Sequence, residues 1–237
     1  MNSSIIYNQG YAFDFHIHTK YSNDSYTQPE KLLKSAIKNN LDGIAITDHN
    51  TIEGALKAKL YQTEEIIVIV GSEIMTDVGE IIGLFLNEEI KCHDYGDVCD
   101  EIKEQDGIIL LPHPYRNQNP ELMIHRVDLI ECLNARSSKE ANINAKKLAT
   151  KHDIPCVSGS DAHILSEIGN VRTVYSSDKM DLDIESIKKT LLNDKAQIIG
   201  CESSKMVKTL SRGIGKYKKE GIKGLAKSTS KIVLRNK

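Results

Sequence analysis

The stretch YAFDFHIH, residues 11–18, is apolar and aromatic for most of its length and closes on two histidines. Aromatic residues packed this densely read as a strand. His16 and His18 are two positions apart, so a strand puts both imidazoles on one face, where both can reach one ion. The same arrangement returns downstream. Residues 43–47 read as a strand and run into Asp48 and His49. Residues 66–70 lead to Glu73, 107–111 to Pro112-His113-Pro114, and 155–158 to Asp161 and His163.

Helical patterns fall between these strands. Residues 29–39 carry Leu32, Leu33, Ala36 and Ile37 at helical spacing after Gln28-Pro29-Glu30, a start signal. Further helices are predicted over 51–62, 98–105, 138–152 and 184–193. Further strands are predicted over 81–86, 128–133, 171–176 and 197–200. The runs 66–70 and 81–86 are almost continuously apolar, as expected of buried parallel strands. Strands alternating with helices at this rhythm predict an α/β fold with a parallel sheet, and their number favours a barrel over an open sheet. The C-terminal ends of parallel barrel strands converge on one face, so these histidines and carboxylates would ring one cavity. Imidazole and carboxylate without thiolate suit zinc, manganese or iron. His93, His125 and His152 fall at no strand end and read as ordinary surface or helix residues.

The composition bounds this reading. The chain has 237 residues, 40% of them hydrophobic, enough for one large domain with a soluble core. No apolar run approaches the ~20 residues that span a bilayer. The N-terminal MNSSIIYNQG lacks a basic region followed by a long apolar one, so no signal peptide is expected. The cysteines, Cys92, Cys99, Cys132, Cys156 and Cys201, are odd in number and show no CxxC spacing. That argues against a disulfide framework and for a cytoplasmic protein with reduced thiols. Cys132 and Cys156 read as small buried strand residues. The net charge of −2 hides an asymmetry: from Lys205 onward eleven Lys/Arg face a single acid, Glu220, so residues 1–204 are strongly acidic.

Five ordered motifs carry a resemblance: Asp14-Phe-His16-Ile-His18, Thr47-Asp48-His49-Asn50, Gly71-Ser72-Glu73, Pro112-His113-Pro114 and Gly159-Ser160-Asp161-Ala162-His163. Together they resemble the PHP (polymerase and histidinol phosphatase) family over about residues 11–200. The resemblance implies a distorted (β/α)7, TIM-like barrel over residues 1–203 that holds two or three divalent metal ions. It implies that His16, His18, Glu73 and Asp161 hold one metal. Glu73 would bridge to a second, shared with His113, and Asp24, His49 and His163 would hold a third. Glu80 stands where many members carry a histidine, and is either a ligand to the second metal or a solvated turn residue. The implied reaction is hydrolysis of a phosphate ester by hydroxide held between two ions. Asp48, Asp161 and His163 form the expected catalytic set, Asp48 as an orienting group, and His163 or Asp24 could help protonate the leaving group if the third metal is absent. Arg116 and Arg136 are the candidate phosphate-binding arginines. The expected substrate is a small phosphorylated molecule, a nucleotide or a sugar or amino-alcohol phosphate. An exonuclease on short oligonucleotides and a non-catalytic accessory domain are the alternatives. An amidohydrolase is disfavoured, because Glu73 stands where such barrels place a bridging lysine.

Residues 204–237 read as a separate basic tail. Basic residues recur every three or four positions, with Met206, Leu210, Ile214, Tyr217, Ile222 and Leu225 among those between them. The pattern suits an amphipathic helix, weakened by Gly213, Gly215, Gly221 and Gly224. Its partners would be an anionic membrane surface, nucleic acid, or the acidic barrel itself. No ligand lies in it, so its removal is expected to leave hydrolysis of a small ester intact.

Overall fold

The computed structural model describes residues 10–178 and 180–235, with side chains described through residue 221. The N-terminal segment and the apolar positions of the tail from Ile222 onward lie outside that description. Nine strands form one sheet among the described residues: β1 (Gly10–Ile17), β2 (Gly43–His49), β3 (Ile67–Met75), β4 (Glu80–Leu84), β5 (Ile108–Leu111), β6 (Leu129–Asn134), β7 (Cys156–Gly159), β8 (Val171–Ser176) and β9 (Gln197–Gly200). Their order is β7-β6-β5-β4-β3-β2-β1-β8-β9. The ends of the first seven meet. Asp161 N donates to His16 O at 2.8 Å and His18 N to Ala162 O at 2.9 Å, so the segment after β7 pairs with the end of β1. The start of β1 pairs instead with β8. A seven-stranded barrel therefore closes at its upper half and opens at its lower half to admit β8 and β9. This is the distorted TIM-like barrel of the sequence reading.

Two layers of apolar side chains hold it. Phe13, Phe15, Ala45, Ile69, Ile82, Leu84, Leu110, Leu129 and Val157 form the barrel interior. Ile44, Ile46, Val68 and Val70 point outward. α1 (Pro29–Lys38) lies beside α2 (Glu53–Lys59), which packs on β2 and β3, while α3 (Tyr95–Glu104) packs on β5 and α4 (Lys139–His152) on β6, all within one outer apolar layer. α1 begins at a proline, which costs nothing where the backbone N–H has no partner. α4 is capped by Ser138, whose side chain accepts from Ala141 N.

The expectation of a uniformly parallel sheet needs correction. β4 runs antiparallel to both β3 and β5, and β8 runs antiparallel to β1 and β9. The apolar run 81–86 shows burial on both faces but carries no direction. A tight turn, with Thr76 N donating to Gly79 O, joins β3 to β4 where a helix would otherwise cross over. The expectation of reduced thiols also needs correction. Cys132 and Cys156 lie on the paired strands β6 and β7, 5.5 Å apart at Cα, and are disulfide-bonded. An odd cysteine count does not reveal a pair that only the sheet brings together. Cys92, Cys99 and Cys201 are free.

α5 (Ile184–Asn193) precedes β9, and α6 (Lys205–Arg235) follows it, broken at Gly221. No helix among the described residues is long and apolar enough to cross a membrane.

Candidate metal centre

The upper end of the barrel gathers nearly every residue singled out from the sequence. A register shift in β1 between Asp14 and Ile17 changes which side the residues face. Phe13 and Phe15 belong to the interior and Ile17 to the outer layer, while His16 and His18 are fully buried at the barrel mouth. On β2, Ala45 and His49 share the inward parity, and on β3 Ile69 and Glu73 do so. β4 runs downward, so its first residue, Glu80, arrives at the mouth above Ile82 and Leu84. His113 and Asp161 follow β5 and β7 in left-handed backbone, at φ 29° and 52°. Non-glycine residues rarely adopt that conformation, and it concentrates at functional sites.

Glu73 is the hub. Its Oε1 lies 2.8 Å from His113 Nε2. Its Oε2 lies 3.4 Å from both His16 Nε2 and His18 Nε2 and 3.2 Å from His49 Nδ1. That oxygen is buried without a hydrogen-bond partner, as is Asp24 Oδ1. His16 Nε2 and His18 Nε2 face each other at 3.1 Å. Two such lone pairs repel unless a proton or a cation lies between them.

The other ring nitrogens are held from behind. His16 Nδ1 meets Glu131 Oε1 at 3.2 Å, His18 Nδ1 meets Ser22 Oγ at 3.0 Å, and His163 Nδ1 meets Asp161 O at 2.8 Å. Such contacts fix the tautomer that offers Nε2 to an ion. Asp24 Oδ2 lies 3.2 Å from His163 Nε2 and 3.5 Å from His49 Nε2. Asp161 Oδ1 lies 3.5 Å from His18 Nε2, and its Oδ2 accepts from Arg116 at 2.5 Å. Glu80 Oε2 is 3.7 Å from His113 Nε2.

Four sets of donor atoms lie close enough to hold an ion: His18/Asp24/His49/His163, His16/His113/Asp161, His16/His18/Glu73 and His49/Glu73/Glu80. The orphaned oxygens, the opposed nitrogens and a donor set of imidazole and carboxylate fit divalent cations. The electrostatics agree. Burial opposes the imidazolium of His16, but Glu73, Glu131 and Asp161 outweigh it and hold its pKa well above the ordinary value. Burial, with His163 and His49 beside it, pushes His18 down to about 3. Burial likewise opposes ionisation of Glu73 and Asp161, yet nearby cationic groups, His16 and His49 for the first and Arg116 and His16 for the second, keep both carboxyls well below the usual range.

Asp48 stands apart. It neighbours His49 on β2 and therefore faces the other way. Its carboxylate accepts from Thr19 N, Thr19 Oγ1, Ser22 N and Ser22 Oγ, which ties down the turn whose Ser22 holds His18. These contacts suit the orienting role expected of it within the catalytic set. Arg116 and Arg136 both line the cavity over the cluster, and Arg136 also donates to Ser211 Oγ of α6 at 3.1 Å.

Sequence reasoning missed Glu131. Its Oε1 meets His16, and its Oε2 accepts from His113 N at 2.7 Å and Asn134 Nδ2 at 3.0 Å. It lies inside the predicted strand 128–133 rather than at its end. The available signal was an acidic residue on the inward parity of an otherwise apolar strand. Gly159 is the companion feature: a Cβ there would lie 2.2 Å from His16 Cβ and 2.3 Å from Glu131 Oε1.

Comparison with known proteins agrees with this geometry. The chain is 47% identical over 114 residues to the uncharacterized protein MJ1587 of Methanocaldococcus jannaschii, covering 43% of this chain and 67% of that one. It is 34% identical over 193 residues to MJ0417 of the same organism, covering 76% and 77%. Among solved structures it is similar to PsfC of Pseudomonas syringae, with a TM-score of 0.64, 14% identity and coverage of 86% and 96%. It is also similar to a Bifidobacterium adolescentis protein provisionally assigned to the metal-dependent phosphoesterases, with a TM-score of 0.54, 18% identity and coverage of 64% and 87%. A third is Endonuclease Q bound to a 27-mer duplex with an abasic lesion at the active site, with a TM-score of 0.59, 15% identity and coverage of 77% and 56%. These structural likenesses concern the fold. The sequence pattern that defines the PHP domain matches residues 14–198, which span all five motifs, and the chain belongs to that family.

Proposed function

We propose that this chain is a metal-dependent phosphatase acting on small phosphorylated molecules, such as nucleotides or sugar phosphates. Metal-dependent phosphoester hydrolysis accords with the family and with the donor set; the restriction to small substrates is the finer step. The observation that carries it is the cavity of about 840 Å³ over the cluster, lined by Asp24, His49, Glu80, Asp161 and His163 and by the cations Arg116, Arg136, Arg212 and Lys219. That volume suits a single small ligand.

His16, His18, Glu73 and Asp161 would hold one ion, Glu73, His113 and Glu80 a second, and Asp24, His49 and His163, with His18, a third. Bound divalent ions supply a water nucleophile at neutral pH and neutralise charge on the phosphoryl oxygens. The protein does the positioning. Arg116 is steered by Asp161 Oδ2, which leaves its other N–H groups for phosphate oxygens. Arg136 lines the same cavity, also beside Asn134 and Asp161. His163, held through Nδ1, presents Nε2 beside Asp24; only with no third ion there could it give a proton to the leaving oxygen instead.

The test is metal analysis beside a panel of mononucleotides, sugar phosphates, bisphosphates and short oligonucleotides. Metal-dependent turnover of monoesters is expected. His16→Ala and Asp161→Ala should lower it about 10³-fold or more while the circular dichroism spectrum is kept. Wild-type turnover by either variant at matched metal content would overturn the site assignment. Turnover confined to oligonucleotide ends would select the exonuclease reading, which the basic α6 at the cavity rim favours second.

A further inference from the structure

Much of the described apolar stripe of α6 faces away from the barrel, although Val207 and Ile214 are half-buried. Met206, Leu210 and Tyr217 are 79%, 58% and 46% exposed. The docked face carries Lys208, Ser211, Gly215 and Lys218, spaced three, four and three apart, which is one side of a helix. Lys208 Nζ donates to Ser137 O at 2.9 Å, and buried Ser211 accepts from Arg136. Lys218 Nζ donates to three carbonyls, Lys20 O, Ser22 O and Ser25 O, each at 2.6 Å. Gly215 passes so close to the Asp24 loop that a Cβ would lie 3.0 Å from Asp24 Cβ and 3.3 Å from Asp24 O. The glycine that weakens the helix in isolation is what lets it seat. The first half of α6 thus bridges two loops of the mouth, one carrying Asp24 and the other Arg136.

One step around from the docked face stand Arg212 and Lys219, seven residues apart and on the same side. Both line the 840 Å³ cavity. Lys219 Nζ lies 3.8 Å from Asp24 Oδ2, an oxygen already shared by His49 and His163. Arg116 and Arg136 line the same cavity and keep N–H groups beyond those that meet Asp161 and Ser211. The cavity therefore carries more cationic groups than one phosphoryl group needs, and two of them come from α6.

We propose that Arg212 and Lys219 are specificity-determining residues that bind a second anionic group on the substrate, away from the scissile phosphate. The preferred ester then carries a carboxylate or another phosphate on its leaving-group side. The reaction rests on the phosphatase reading, but the recognition is testable without turnover.

The test compares binding of methylphosphonate, phosphonoacetate and methylenebisphosphonate by calorimetry, to wild type and to the double variant Arg212→Met/Lys219→Met, with metal content matched. Wild type should bind at least one of the doubly anionic ligands about tenfold more tightly than methylphosphonate, and which one identifies the second group. The double variant should lose that preference to within about threefold and keep its methylphosphonate affinity and metal content. Arg212→Lys should keep part of the preference, as a purely structural role would not require. In turnover, the double variant should raise KM for 3-phosphoglycerate or 2,3-bisphosphoglycerate, whichever wild type prefers, with kcat and glycerol phosphate kinetics little changed. No preference in wild type, or an equal loss for all three ligands in the double variant, would overturn the proposal. A preference that follows the two residues in a protein that hydrolyses no phosphate ester would retire the phosphatase reading alone.

Discussion

Replacing Glu131 with glutamine changes one atom and no shape, yet the structure gives the amide no satisfactory orientation. The carboxylate serves two sides at once: Oε1 meets His16 Nδ1 at 3.2 Å, and Oε2 accepts from His113 N at 2.7 Å and from Asn134 Nδ2 at 3.0 Å. A carboxylate has only acceptors. If the glutamine NH₂ turns toward His16, that ring must accept at Nδ1. Its proton then moves to Nε2, the nitrogen that faces His18 and Glu73. If the NH₂ turns the other way, it faces the His113 N–H and the Asn134 NH₂, donor against donor. Asn134 cannot flip to relieve this, because its Oδ1 accepts from Arg136 N and Ser137 N. The first outcome weakens metal binding by about 10–100-fold, the range for groups that orient ligating histidines. The second leaves buried donors unsatisfied, at about 1–3 kcal/mol. Competitive chelator titration measures the first and thermal melting of metal-free protein the second. Metal affinity within about threefold of wild type together with unchanged metal-free stability would refute the reasoning.

Glu80 separates a ligand from a solvated carboxylate. Burial and then Glu73 raise its pKa, a carboxyl in want of a cation, so Glu80→Ala should lower metal stoichiometry and rate together, and Glu80→His should restore part of both. Unchanged metal content in the alanine variant would return Glu80 to the surface. His49 gives a pH test. Burial opposes its imidazolium, but Glu73, Asp24 and Glu80 outweigh burial and raise its pKa to about 9 in the metal-free protein. At neutral pH metal binding must expel that proton, along with the one that Glu73, Glu131 and Asp161 favour on His16, so apparent affinity should climb as pH rises toward 9. Calorimetry in two buffers of different ionisation enthalpy reads the release, and identical apparent enthalpies would contradict it. The Cys132–Cys156 disulfide closes a loop of sequence separation 24. Cys132→Ser/Cys156→Ser should therefore cost about 3 kcal/mol under oxidising conditions and far less with reductant present, measured by urea unfolding. Equal losses with and without reductant would show that the two thiols act by packing alone.

How much of this was legible in the sequence depended on whether a residue's chemistry or its surroundings decide its role. His16, His18, His49, His113, Asp161 and His163 were legible as candidate ligands, because such ligands must be imidazole or carboxylate and because strand ends converge. Asp48 was harder. It has the right chemistry beside a ligand, but strand parity turns it to Thr19 and Ser22. Glu131 looked like strand interior, since its function comes from two histidines that reach it from β1 and β5. The direction of β4 was not written in an apolar run, although that direction alone brings Glu80 to the mouth. The Cys132–Cys156 pair needed the order of the strands. The tail's stripe left docking on the barrel as one use among several, and the helix seats there largely through lysines that find backbone carbonyls and a glycine that permits close approach.

The closing seam of the barrel and the metal centre are built from the same residues. The hydrogen bonds that join β1 to the segment after β7 run from Asp161 N to His16 O and from His18 N to Ala162 O. Three of those four residues are candidate ligands, so their side chains are aimed by the backbone that closes the fold. Asp14 reinforces the seam from below, accepting from Ser160 N at 2.8 Å and from Gly169 N at 3.0 Å. The lower half of the same edge is spent on β8, which leaves the barrel incomplete where no ligand lies. Completeness is thus concentrated where the chemistry needs rigid positions, since ligands displaced by a fraction of an ångström bind poorly. On the same side of the mouth α6 spans the loops after β1 and β6, and its Arg212 and Lys219 line the cavity. On the proposals above, a barrel of this design would keep its metal geometry fixed at the seam, while α6 would set what the cavity accepts.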